Sequence, residues 1–390
     1  MKQIYLDNSA TTPVRKEVLT EMLPYFSKKY GNPSSFHSKG LEARNAVEDA
    51  RKRVALVLNC KPEEVIFTSG GTESINLALK GAAFANRSKG EHIITSKIEH
   101  HAVIEACKYL EKKGFKITYL DVDKNGLVNP ADVEKAITDK TILVSIIYAN
   151  NEIGTIEPIR EIGAICRKKK ALFHSDACQA PDYLDARVSS VNADLLTLNG
   201  SKIYGPKGVG ILYVKNGVKV EPLMHGGGQE HGLRSGTENV PAIIGFARAL
   251  ELAQKEREKE SRRLIKLRDN LIKGLLRIKG TKLNGDAVKR LPNNICVSFS
   301  AIEGESIVLH LNEKGIFAST GSACSSRKLE VSHVLQAIGL SHEESHGSIR
   351  FSLGRETKES DIRHVIRIMP KIVEKLRKIS PIAAKHGEKK

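Results

Sequence analysis

Between residues 65 and 214, short apolar runs alternate with helix-periodic stretches, and no other feature constrains the fold of this chain as tightly. The runs are Val65–Thr68, His92–Thr95, Ile117–Leu120, Ile142–Ile147, Leu172–Ser175, Leu195–Leu198 and Gly210–Val214. Helical patterns such as Thr72–Ala85, Ala102–Lys113 and Ile159–Lys169 separate them. Strands that alternate with helices pack as a layered α/β sheet with helices on both faces. A further helix, Leu41–Leu58, precedes the first strand, with Ala43, Val47, Ala50, Val54 and Leu58 on one apolar stripe.

In open α/β sheets the ligand crevice lies beyond the strand ends. One run, Phe173-His174-Ser175-Asp176, ends in a carboxylate. Another begins at Asp194, breaks at Asn199-Gly200-Ser201, and presents Lys202 at the break. Such a lysine is either an ordinary solvated amine or a nucleophile that forms a Schiff base with a carbonyl cofactor. Asp176 and Lys202 lie 202 − 176 = 26 residues apart, which fits one strand-connection-strand step. Side by side, the two strands would bring both groups to one sheet edge. A lysine for the aldehyde carbon and a carboxylate for the ring nitrogen are the two groups that pyridoxal phosphate needs.

Other segments carry chemistry of their own. Thr68-Ser69-Gly70-Gly71-Thr72 joins a strand to a helix, where glycines allow close approach and unpaired N–H groups face an anion. The same residues also read as a plain helix cap. Arg350 and Arg355 offer forked donors for a substrate carboxylate, although Arg355 also reads as an ion-pair residue. Cys324 differs from the other cysteines because its neighbours, Ala318-Ser-Thr-Gly-Ser-Ala-Cys-Ser-Ser326, are small and polar, as in an open, mobile loop.

Taken in order, Tyr5–Thr12, Gly31–His37, Phe67–Ser74, Glu99-His100, Asn150–Gly154, Asp176–Gln179, Lys202–Gly210, His225–Gly228, Arg234–Thr237 and Ser319–Ser326 resemble the motifs of one family. They are similar to those of the cysteine desulfurases of the NifS/IscS type, class V aminotransferases of the fold-type I pyridoxal-phosphate group. The resemblance implies a large α/β domain with a mostly parallel seven-stranded sheet between helices, over residues 17–255. It implies a smaller α+β domain, from residues 1–16 and 256–390, that carries the catalytic cysteine. It also implies pyridoxal 5'-phosphate held as a Schiff base (aldimine) on Lys202, with Asp176 at the ring nitrogen.

The remaining roles follow from the same resemblance. Gly71, Thr72, Asn199, Gly200 and Ser201 would hold the phosphate. His100 would stack on the ring and shuttle protons, and Asn151 and Gln179 would bond the phenolic oxygen. Asn151, Arg350 and Arg355 would meet the substrate, L-cysteine. Thr237 would reach the phosphate of a neighbouring subunit, which makes the protein a homodimer. Cys324 would take sulfur as a persulfide, leaving L-alanine, and would pass it to an iron–sulfur scaffold protein or to sulfur carriers for tRNA modification. Cys324 would also be a candidate ligand to a transient [2Fe-2S] cluster in a scaffold complex. The chain departs from the family pattern at Asn199, where serine is usual, and at Ser201, where histidine is usual. The alternatives are a selenocysteine lyase or another class V enzyme, and, from a different class, a catalytically silent scaffold.

Composition adds bounds. A chain of 390 residues exceeds what one core usually supports. The net charge of +17 reads first as a lysine-rich, well-solvated surface, and otherwise as a field that attracts acidic proteins, nucleic acid or phosphorylated cofactors. The six cysteines form no Cys-x-x-Cys pair, and outside Cys324 they read mostly as inert core thiols of a reducing compartment. The N-terminus lacks an apolar signal core and no run is long enough to span a bilayer, so a cytoplasmic setting without membrane partners is expected. Pro241–Ile278 reads as one long helix whose polar middle, Lys255–Arg263, is a solvated bridge between the two domains.

Overall fold

The computed structural model describes residues 2–320 and 331–380. Its central sheet contains β2 (Val65–Thr68), β3 (His92–Ser96), β4 (Lys116–Leu120), β5 (Thr141–Ser145), β6 (Leu172–Asp176), β7 (Leu195–Asn199) and β8 (Gly210–Val214). The strand order is β2-β8-β7-β6-β5-β3-β4. Every pairing from β7 through β6, β5 and β3 to β4 is parallel. β8 runs antiparallel to both of its neighbours. The connection from β7 to β8 explains this exception, because residues 200–209 are too few for the crossover that a parallel return needs.

Consecutive residues of these strands serve opposite faces, as the pleat requires. Phe67, Ile94, Val144, Leu196 and Tyr213 join one hydrophobic cluster. Their neighbours Ile66, Ile93, Leu143, Leu195 and Leu212 join another. With both faces covered, β2, β3, β5 and β8 are buried along their whole length, which is why β2, β5 and β8 read as continuous rather than alternating apolar runs.

A helix of 36 residues, Val240–Leu275, links two cores. Ile243, Phe246, Ala247 and Leu250 pack under the central sheet with the helix Ser38–Leu58. Leu264, Leu267, Leu271 and Leu275 pack in a separate cluster with Ile4, Leu6, Phe351 and the helix Glu359–Ile379. The polar stretch between them is not simply solvated. Glu256 pairs with Arg15 at 2.8 Å and with Arg355, while Arg263 donates to the carbonyls of Thr357 and Gly354. The polarity of Lys255–Arg263 thus serves contacts to the N-terminal segment and to the loop after residue 353.

Around the second core lie two small sheets. β1 (Ile4–Tyr5) pairs in parallel with β11 (Ile316–Phe317). β9 (Thr281–Leu283), β10 (Asn294–Phe299), β12 (Ser319–Thr320) and β13 (Ser348–Ser352) form an antiparallel sheet of order β12-β13-β10-β9. Among the described residues no helix is long and apolar enough to cross a membrane.

Candidate active site

β6 and β7 are hydrogen-bonded neighbours, with Asp176 opposite Thr197. Asp176 closes its strand, and β7 ends at Asn199 before a single 3-10 turn, Gly200–Lys202. The Asn199 Oδ1 caps that turn, accepting from the N–H and the Oγ of Ser201, each at 3.3 Å. The turn delivers Lys202 to the same sheet edge as Asp176, and both line a cavity of about 300 Å³. Lys202 Nζ donates to the carbonyl of Ser9 at 2.9 Å and to that of Ala10. Gln179 Nε2 donates to the same Ser9 carbonyl at 2.9 Å. The N-terminal segment therefore closes the cavity on the lysine side.

Behind the carboxylate, His174 is fully buried between Ser145 Oγ (2.8 Å) and Thr197 Oγ1 (3.0 Å). Burial lowers its imidazole to about 4, so it is a neutral structural group.

His100 lines the cavity at the start of the helix His101–Lys112. Its Nδ1 accepts from the N–H of Ala102 at 3.1 Å. An accepting Nδ1 carries no proton, so the neutral ring holds its proton on Nε2. Burial pushes the imidazole below its usual range, with Asp176 opposing and Lys202 reinforcing that shift. His100 is thus a neutral ring with its donor at Nε2, and resists becoming an imidazolium.

At the opposite wall the chain turns from β2 through Ser69 and Gly70 into a helix beginning at Gly71. Gly70 sits at φ 147°, a conformation that disfavours any side chain. A Cβ on Gly71 would lie 2.8 Å from Cys178 Sγ, so the backbone here is held close to the cavity wall. Gly71, Thr72 and Asn199 all face the cavity.

Arg350 enters from β13. Its Nη2 donates to Asp7 Oδ1 at 2.9 Å and its Nη1 to the carbonyl of Asn151 at 3.1 Å. Its Nε is buried with no hydrogen-bond partner among the described residues. Arg355 has a different setting. It pairs with Asp182 at 2.9 Å and with Glu256, lies over the Tyr204 ring, and does not line the cavity. The ion-pair reading of Arg355 fits its position, and the substrate-contact reading does not.

The cavity thus gathers Gly71, Thr72, His100, Asn151, Asp176 and Gln179, and with them Asn199, Lys202 and Arg350. Gly200 and Ser201 stand behind Asn199 and do not line it, and Thr237 is exposed on the loop that follows Gly228. Cys324, with its sulfur-accepting and cluster-ligand roles, lies outside the described residues. Among those described, no group of three or more His, Cys, Asp or Glu could hold a metal ion. Sequence reasoning missed Ser9, Ala10 and Cys178. The backbone carbonyls of Ser9 and Ala10, not their side chains, do the binding, so residue type gave no signal. Cys178 reads as a core thiol, and burial with Asp176 nearby does push it well above the usual range, yet it forms part of the wall.

The class-V aminotransferase family matches residues 4–365. A cysteine desulfurase IscS of Methanosarcina thermophila is 55% identical over 384 residues, covering 98% of this chain and 95% of that protein. A cysteine desulfurase IscS of Clostridium botulinum (strain Hall) is 53% identical, covering 98% of this chain and 97% of that protein. A solved NifS-like protein superposes with a TM-score of 0.91 at 41% identity, over 96% of this chain and 100% of its own. The chain therefore belongs to the class-V aminotransferase family and, within it, to the cysteine desulfurases.

Proposed function

We infer that this protein takes sulfur from L-cysteine with pyridoxal phosphate, and that the cavity between the ends of β6 and β7 is where it does so. The observation that carries this reading is the shared cavity of Asp176 and Lys202. The donor set fits the cofactor. Lys202 is the amine that would hold it covalently, Asp176 would keep the ring nitrogen protonated, and His100 presents a flat ring from the N-terminus of its helix. Gly71, Thr72 and Asn199 would hold the phosphate, with Gly200 and Ser201 shaping the turn behind them. Asn151 and Gln179 supply side-chain amides for the phenolic oxygen. Bound there, pyridoxal phosphate supplies an electron sink that weakens the Cβ–S bond of the substrate.

The protein's own groups divide the remaining work. Arg350 grips the substrate carboxylate, its guanidinium oriented by Asp7 and the Asn151 carbonyl. Lys202 exchanges its bonds to the Ser9 and Ala10 carbonyls for a proton taken from the substrate. His100, its Nδ1 held by the Ala102 N–H, would lie against the cofactor ring and donate from Nε2. Cys324, as a thiolate, attacks the substrate sulfur. The Cβ–S bond breaks, an S–S bond forms, and the carbon left behind gains a proton. L-cysteine and one thiol thus become L-alanine and one persulfide, with no external oxidant.

We further read the protein as a homodimer. Phe26, Tyr30 and Phe36 are 61%, 69% and 89% exposed, Leu223 and Met224 are also exposed, and a second copy is the partner that would cover them. In that dimer the exposed Thr237 would serve the partner's phosphate. The large and small domains are read as 17–255 and 1–16 with 256–390. The cysteine thiols described here carry no disulfide, which fits a reducing cytoplasm. The resemblance to the NifS/IscS type is what supports an iron–sulfur scaffold as sulfur acceptor, with carriers for tRNA thiolation as a second outlet and a [2Fe-2S] cluster at Cys324 as cargo. Assay of alanine from L-cysteine, and of sulfide once an added thiol reductant cleaves the persulfide, tests the activity. The cofactor-loaded protein should make both, and Cys324→Ser should keep the cofactor's colour but release no sulfide. Normal turnover by Cys324→Ser would refute the role given to that thiol.

A further inference from the structure

We propose that Glu73 and Arg234 are paired positioning residues for the cofactor phosphate. Glu73 braces the turn that receives the phosphate, and Arg234 cancels the negative charge that Glu73 brings to an anion site. This rests on the reading of Gly71 and Thr72 as phosphate contacts.

Glu73 reaches back along its own chain. Its Oε2 accepts from the N–H of Ser69 at 2.8 Å, and its Oε1 accepts from Arg234 Nε at 2.9 Å. Gly70, Gly71 and Thr72 lie between Ser69 and Glu73, so the carboxylate closes a ring around the turn. The turn is pinned a second time, because Thr68 Oγ1 and Ser74 Oγ share a hydrogen bond of 2.7 Å. The Gly70 carbonyl also accepts from the Ser74 N–H at 3.1 Å. Gly71 and Thr72 line the cavity, whereas Glu73 and Arg234 do not. The pair therefore acts on the shape of the turn from outside the cavity.

Arg234 belongs to the loop His225–Thr237, which is anchored beside β2. Glu230 of the same loop is buried and accepts from both terminal nitrogens of Arg51, each at 2.8 Å. It also accepts from the N–H of Phe67 in β2 at 2.7 Å. Gln229 Oε1 accepts from the N–H of Gly236 at 2.9 Å, which closes the loop on itself across Arg234. Arg234 is thus presented by a braced segment that is tied to the strand leading into the turn.

The electrostatics explain why the two residues come together. Burial alone would raise the Glu73 carboxyl, but Arg234 and the Ser69 N–H outweigh it and hold the group below the usual carboxylate range. Glu73 is therefore ionised at neutral pH. Its geometry suits the turn, but an uncompensated carboxylate there would repel a phosphate. The charge-assisted bond from Arg234 resolves that conflict. The two side chains are 16% and 21% exposed, so water and salt screen the pair only in part.

The test uses the full chain loaded either with pyridoxal phosphate or with pyridoxal, the same aldehyde without the phosphate. Dissociation constants are read from the visible absorbance of cofactor retained after ultrafiltration. Arg234→Met should weaken pyridoxal phosphate by about tenfold, the effect of one partly screened charge at short range, and leave pyridoxal within about twofold. Arg234→Lys keeps the charge and should stay within about threefold of the parent for both. Adding Glu73→Gln to Arg234→Met removes the stranded charge, keeps an acceptor for the Ser69 N–H, and should recover most of the lost affinity. Equal loss of both cofactors in Arg234→Met would mark a general structural role and overturn the proposal. So would parent affinity for both, or a double variant that recovers nothing. Thr72→Val separates the two levels. If it leaves the preference for pyridoxal phosphate over pyridoxal at the parent value, the phosphate reading of the turn falls, and the pairing with it. If it lowers that preference while Arg234→Met does not, only the pairing falls.

Discussion

Asp176 and Lys202 reach one cavity from two adjacent parallel strands, the first as the last residue of β6 and the second one turn beyond β7. In the proposed reading the carboxylate keeps the cofactor's ring nitrogen protonated. Asp176→Asn preserves the shape and removes the charge. Its kcat/KM for alanine formation should fall by about 10²–10³-fold, the range seen when a preorganised electrostatic group is lost. Cofactor content, read by absorbance after gel filtration, should fall far less. A variant within about threefold of the parent would contradict this role for Asp176.

The two arginines of the 350–355 stretch should separate cleanly. Arg350→Ala removes the carboxylate fork, and KM for L-cysteine should rise by roughly 10–100-fold, the equivalent of about 1.5–3 kcal/mol of charge-assisted bonding. Arg355→Ala should leave KM nearly unchanged and lower stability, because it strands the buried Asp182 carboxylate without its partner. That loss is about 3–5 kcal/mol in a urea titration. Equal effects of both changes on KM would contradict the placement of Arg355 outside the cavity.

Glu99 gives a pH signature. Burial lifts its carboxyl from 4.5 to about 8, so the folded chain holds a proton there that the unfolded chain gives up. Its contribution to stability is full below about 4.5 and is lost as pH rises through about 8. Glu99→Gln keeps a neutral side chain at every pH. The melting temperature of the parent should therefore fall relative to Glu99→Gln between about pH 5 and pH 8. Parallel curves over that range would show that Glu99 is not held as an acid.

Gly71 and Cys178 should couple. A methyl group on Gly71 would sit 2.8 Å from Cys178 Sγ. Gly71→Ala should weaken cofactor retention by about tenfold, in line with overpacking costs of about 1–3 kcal/mol. Adding Cys178→Ala opens the space and should restore most of the affinity, a coupling that a double-mutant cycle on the cofactor dissociation constant would measure. Additive effects would place the cost elsewhere.

The central fold was legible because both sheet faces are covered. Full coverage gives β2, β5 and β8 continuous apolar stretches that stand out between helices. Asp176 and Lys202 were legible for a related reason, since the first ends the run of β6 and the second follows the run of β7. The small sheets were harder. β1 and β11 have two residues each and owe their pairing to a partner more than 300 positions away, which no local pattern reveals. The polar middle of Val240–Leu275 misled in detail, because its charges face Arg15 and the Gly354–Thr357 loop and not only water. The carbonyls that hold Lys202 left no trace in side-chain chemistry.

The account stands on Lys202 as the amine that carries the cofactor. Borohydride reduction of the pyridoxal-phosphate-loaded protein fixes the cofactor's carbonyl carbon to whichever amine holds it, and peptide mass mapping then locates the bond. The adduct should lie on the peptide that contains Lys202, in one copy per chain, and should vanish in Lys202→Ala. An adduct on a different lysine, or none at all, would contradict the assignment.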